Sequence, residues 1–106
     1  MHSKLHVLYT DTVSLDILRP ILEQLPQPPL GARIAIKPNL VVAKPSTSGA
    51  TTDPQLVSCI IEYLQEKGHR TIKIIEGSGV GDNTQRAFQV CGYDEISRTF
   101  DVPLVD

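Results

Sequence analysis

Lys37, Asn39, Thr51, Thr52 and Glu76 are the side chains whose types and spacing in this sequence can do chemistry. Lys37 ends a short apolar, β-branched run at 32–36. Pro38 behind it cannot donate to a sheet ladder, so the lysine stands where a strand stops. Asn39 follows at once. Thr51 and Thr52 close a long polar loop just before Asp53-Pro54, which reads as a helix N-cap and first helical residue. Glu76 ends another apolar run and opens the turn Gly77-Ser78-Gly79-Val80-Gly81. In open α/β sheets, ligands bind beyond the carboxyl ends of strands, near helix N-termini. At such an edge Lys37 would offer positive charge to an anionic substrate, and Asn39 with Thr51 and Thr52 would orient it. The N–H groups of Gly77, Ser78 and Gly79 would hold a small anion, and Glu76 is the candidate catalytic group, able to move a proton.

Each residue also has a plainer reading. Lys37 can be the polar residue with which a strand leaves the core, and the glycine turn can be a hinge. Asp53 is explained by capping alone. Thr51 and Thr52 fit either reading, and Ser46-Thr47-Ser48-Gly49 can be a lid or a flexible linker. The loop over 37–53 favours a site, because unstructured loops beyond roughly 12–15 residues are usually functional or disordered. Nucleotide motifs fail. The sixth position of G-x-G-x-x-G/A is Asp82 counted from Gly77 and Thr84 counted from Gly79, and no Walker pattern occurs. Glu76 with Asp82 or Asn39 would suit magnesium or calcium rather than zinc. No spacing is diagnostic, so no metal is assigned. A serine–histidine pair is disfavoured, because His69 precedes the strand that Ser78 follows.

The elements that must position these groups alternate. Strands are expected at 5–10 (LHVLYT), 32–37, 71–76 and 102–105, with helices between them. Leu15, Leu18, Leu22 and Leu25 make one helical face, in which Pro20 requires either a late start near Asp16 or a kink. The run 54–67 reads as a wide-faced helix closed by Lys67-Gly68, and shorter helices are expected over 84–90 and 93–100. The fold class that follows is α/β: one domain over 1–106, a three-layer-like open sheet, mostly parallel, of about four strands with crossover helices. Parallel strands would bring Asp11, Lys37, Glu76 and Asp106 to one edge, together with free N–H groups at the 54–67 helix start. The segment 43–49, without apparent apolar anchors, is expected to be the most mobile internal one.

The order IKPNL, GATTDPQLV, a helix ending in KG, then IIEGSG resembles the N-terminal part of the domain-of-unknown-function family 362. The likeness continues more weakly through Ala87-Phe88, Gly92-Tyr93 and 102–106. It implies an α/β domain without an established activity, longer in the family than this chain, which is therefore expected to be a fragment. Relatives often carry a ferredoxin-like iron–sulfur module further along, and that module is absent here. The resemblance thus implies no cofactor in this chain and an iron–sulfur cluster in a longer protein or a partner.

Composition bounds the rest. A chain of 106 residues is one domain. A net charge of −2 without a basic run argues against nucleic acid, and no stretch reaches membrane-spanning length. The first residues lack a signal-peptide core, which makes the expectation cytoplasmic. Cys59 and Cys91 form no C-x-x-C pair and read as small core residues. Three functions remain: a domain binding a small anionic molecule, alone or within an enzyme; a redox-associated module; and a non-catalytic interaction domain.

Overall fold

The structure, a computed structural model, describes residues 5–40, 43–77 and 83–106. Its longest helix follows directly from the sequence signals. The Asp53 side chain accepts from the Gln55 N–H at 2.9 Å, and Pro54 takes the first turn. The helix then runs Pro54–Glu66 (α2). Its inner face buries Val57, Cys59, Ile61, Tyr63 and Leu64. Gly68, at φ +95°, lets the chain turn back towards the sheet.

Three parallel strands form that sheet: β1 (Ile34–Ile36), β2 (Ile72–Ile75) and β3 (Leu104–Val105), in the order β1-β2-β3. Register pairs Ile34 with Ile72, Ile36 with Ile74, and Ile74 with Leu104. These isoleucines and Leu104 belong to the core or pack against it, whereas Ala35, Lys73 and Val105 of the alternate parity are exposed. α3 (Thr84–Val90) and α4 (Tyr93–Phe100) lie between β2 and β3, and α4 packs against α2. The Asn83 side chain caps α3 by accepting from the Arg86 N–H at 3.1 Å. Both crossovers advance the same way across the sheet, so right-handed connections place their helices on one face.

α1 (Leu15–Leu22) lies beside α2. Arg19 pairs with Glu66 at 2.7 Å and Lys67 with Glu23 at 3.1 Å, and the Tyr63 hydroxyl donates to Glu23 at 3.1 Å. Ion pairs this exposed contribute little. The firmer contact is Leu15 in the core, with Leu18 and Leu22 packed against it.

The α/β class and the open parallel sheet are as expected; four details differ. The described sheet has three strands rather than about four. Residues 5–10 carry no regular structure, and Leu5, Val7 and Tyr9 are 88%, 85% and 98% exposed. Alternation shows what a segment can do as a strand but not that a partner receives it, so Asp11 does not join the strand ends. α1 begins at Leu15 with Ser14 as its cap, so Pro20 falls in the helix interior rather than its first turn. Asp16 and Pro20 are exposed, which leaves the carbonyl that Pro20 cannot serve to water. Finally, 43–49 has an anchor, because Ala43 packs against the core and Ser46–Ser48 form a 3-10 turn.

Candidate functional site

Parallel strands deliver Lys37, Glu76 and Asp106 to the carboxyl edge of the sheet. Side-chain parity then separates the first two. Lys37 continues the exposed Ala35 side, while Glu76 continues the buried Ile72 and Ile74 side and is itself 6% exposed. They share an edge but leave it on opposite faces, and no ion pair joins them among the described residues.

Glu76 is held from inside. Its Oε2 accepts from the Leu40 N–H at 2.8 Å, and its Oε1 from the Gly77 N–H at 2.9 Å. Leu40 is fully buried. The carboxylate therefore replaces water for a buried amide and ties the loop after β1 to the end of β2.

The loop is closed a second time by Asn39 and Thr52. The Asn39 N–H donates to Thr52 Oγ1 at 2.8 Å, and the Thr52 N–H donates to the Asn39 carbonyl at 2.9 Å. The Tyr93 hydroxyl, on a fully buried side chain, donates to the Thr52 carbonyl at 3.0 Å. Burial first, then the electrostatic influence of Cys91, Asp53 and Glu76, raise the Tyr93 pKa well above the ordinary 10. The Thr51 hydroxyl donates to the Lys44 carbonyl at 2.8 Å, and the Cys91 thiol reaches the same carbonyl at 3.1 Å. Both threonines thus fasten the loop.

The α2 start does not offer the free N–H groups expected at the edge. Pro54 has none, Gln55 gives its N–H to Asp53 Oδ1, and Leu56 gives its own to the Asp53 carbonyl at 3.1 Å. Asp53 and Pro54 border a separate hollow of about 420 Å³ between α2 and α4, away from Lys37.

Lys37, Asn39 and Gly77 remain open at the carboxyl edge, all three exposed. Lys37, Pro38, Asn39 and Glu76 border a hollow of about 230 Å³. A neighbouring one of about 370 Å³ is lined by Lys37, Ile75, Glu76, Gly77, Val105 and Asp106. A side chain at Gly77 would meet nothing within 4 Å, while the Gly77 N–H is already given to Glu76 Oε1. Ser78, Gly79 and Asp82 lie outside the described residues. Among those described, no group of three or more His, Cys, Asp or Glu is placed to hold a metal ion, and no helix is long and apolar enough to cross a membrane. Cys59 and Cys91 are free thiols in the core, and burial raises the Cys59 pKa. His69 is buried before β2, at the edge opposite Gly77.

Sequence reasoning missed the clamp that Glu76 makes on Leu40 and the roles of Tyr93 and Cys91. The first had a signal: Ile72, Ile74 and Glu76 share one parity, which sends the carboxylate inward. The other two had none, because residues distant in sequence meet only where α3 ends and α4 begins.

The model of one family, Domain of unknown function (DUF362), matches residues 34–106. The chain belongs to the DUF362 family. The DUF362 match opens at β1 and takes in the whole sheet, the tied loop and every candidate site residue, while α1 and the 5–10 segment precede it. No curated protein and no solved structure matches the chain.

Proposed function

We propose that the carboxyl edge of the sheet binds a small anionic molecule through the Lys37 ammonium and the Asn39 side-chain amide, with Gly77 at the far wall. The reading rests on one observation: an exposed lysine and an exposed carboxamide stand on a loop that is fixed at both ends. Asn39 is held by Thr52, and its neighbour Leu40 by Glu76. A ligand would meet groups already in place, which lowers the ordering cost of binding.

The nearby acids do not cancel Lys37. Two N–H groups already solvate the Glu76 charge. Asp106 leaves β3, two strands from β1. No ion pair joins it to Lys37 among the described residues. In this reading Glu76 positions the loop and does not move a proton.

The test is an amide-shift titration with inorganic phosphate and with acetate. Lys37, Asn39 and Gly77 should move together along one binding curve. Lys37→Ala should abolish the response without loss of fold, since an exposed edge lysine carries little packing. Shifts scattered over the surface, or a response that persists in Lys37→Ala, refute the reading.

A further inference from the structure

We propose that a hollow on the exposed face of the sheet, in its amino half, binds an organic phosphate. Arg33, Arg70 and Lys73 hold the phosphate head, and an apolar body lies on Ala35 and Pro103. The site is separate from the carboxyl edge and does not depend on anion binding there.

Strand register builds the hollow. Ala35 is the partner of Lys73. The Ile74 N–H donates to the Pro103 carbonyl at 2.9 Å, and Ile74 pairs with Leu104, so Lys73 stands between Ala35 and Pro103. All three have the parity opposite to the buried Ile72 and Ile74, and all three are exposed. Two short side chains beside a long one leave a hollow of about 320 Å³, which Arg33, Arg70, Thr71 and Asp101 also line. Small-molecule sites begin at roughly 300 Å³.

Charge selects the ligand. The chain carries ten lysines and arginines against twelve acids, yet three cations meet one acid here. Arg19 and Lys67 have carboxylate partners between α1 and α2, whereas Arg33, Arg70 and Lys73 have none among the described residues. Hollows lined by one sign of charge focus the field and concentrate counter-ions. Three cations less the charge of Asp101 leave two positive charges. A phosphate monoester carries about two negative ones at neutral pH. The two guanidinium groups fit phosphate oxygens in pairs, and the lysine adds a point charge. Ala35 and Pro103 offer no hydrogen-bonding side chain, so the rest of the ligand that lies on them is apolar.

Amide-shift titrations with phenyl phosphate, inorganic phosphate and benzoate test the proposal. With phenyl phosphate, Arg33, Ala35, Thr71 and Lys73 should move along one binding curve while the α2 amides stay in place. Inorganic phosphate lacks the ring and benzoate the second charge, so each should bind at least about fivefold more weakly. Arg33→Gln and Arg70→Gln should each weaken phenyl phosphate about threefold or more, and both side chains are exposed, so the fold stands. Asp101→Asn should tighten it about twofold, because asparagine tolerates the left-handed backbone at φ +55° and removes the opposing charge. Arg33 and Lys37 flank β1 roughly 13 Å apart. The response should therefore survive Lys37→Ala, which separates failure here from failure at the carboxyl edge. Phenyl phosphate binding no tighter than inorganic phosphate overturns the proposal. So does unchanged binding when Arg33→Gln and Arg70→Gln are combined.

Discussion

Glu76 separates two accounts of the carboxyl edge, because a clamp and a proton-transfer group respond differently to the same substitutions. Glu76→Ala removes both acceptors. The Gly77 N–H is exposed and recovers a water, whereas the Leu40 N–H is fully buried and does not. A hydrogen bond to a charged group contributes about 1.5–3 kcal/mol, and a stranded buried donor costs about 1–3 kcal/mol, two measures that overlap. Relief from burying the charge offsets part of the loss. Glu76→Ala should therefore cost about 2–3 kcal/mol, a large share of the 5–15 kcal/mol typical of a domain.

Glu76→Gln is the discriminating variant. Its single oxygen can still accept from Leu40, and its amide nitrogen then faces the Gly77 N–H, which turns to solvent. The expected cost is about 1 kcal/mol, clearly less than for alanine. Urea denaturation at pH 7 measures both, and exchange at the Leu40 amide should accelerate more in Glu76→Ala than in Glu76→Gln. A proton-transfer residue without a clamping role predicts near-wild-type stability for both variants. Glu76→Ala within about 0.5 kcal/mol of the parent, the ordinary range for a neutral surface change, would refute the reasoning. So would glutamine as destabilising as alanine.

Asp53→Ala should lose the α2 cap and about 1 kcal/mol of stability in urea denaturation while keeping the phosphate response of the Lys37 edge. Tyr93→Phe should cost about 1 kcal/mol at pH 7, because the half-buried Thr52 carbonyl loses its donor. The Tyr93 pKa is raised in the folded chain, so above the unfolded value of about 10 the folded state binds more protons and stability falls as pH rises. Urea midpoints between pH 9 and 12 should fall less steeply in Tyr93→Phe; Tyr63, raised by burial, keeps part of the slope.

Local signals in the sequence carried much of the architecture. The Asp53-Pro54 pair, the wide apolar face of α2 and the alternation of strands with helices are each encoded within a few neighbouring residues, and each appears in the structure. Two kinds of information lay elsewhere. Strand pairing is non-local: LHVLYT has the composition of a strand, but among the described residues no strand receives it. The contacts that fasten the loop are non-local as well. Cys91 meets Lys44 and Tyr93 meets Thr52 where α3 ends and α4 begins, and neither pair has a spacing to read.

The edge itself shows how a correct topology can mislead about chemistry. Parallel strands did bring Lys37 and Glu76 to the same side of the sheet, and proximity along an edge suggested a cation and an acid acting together. Parity, legible in the same residues, divides them. Ala35 and Lys37 fall on the exposed face; Ile72, Ile74 and Glu76 fall on the buried one. A carboxylate carried into the core must be satisfied or neutralised, and the Leu40 and Gly77 N–H groups satisfy it. The same two bonds fix the backbone that presents Asn39 and Lys37 to solvent. On this argument the acid holds the loop, and the lysine and the carboxamide beside it are the groups a ligand would meet on the proposed reading.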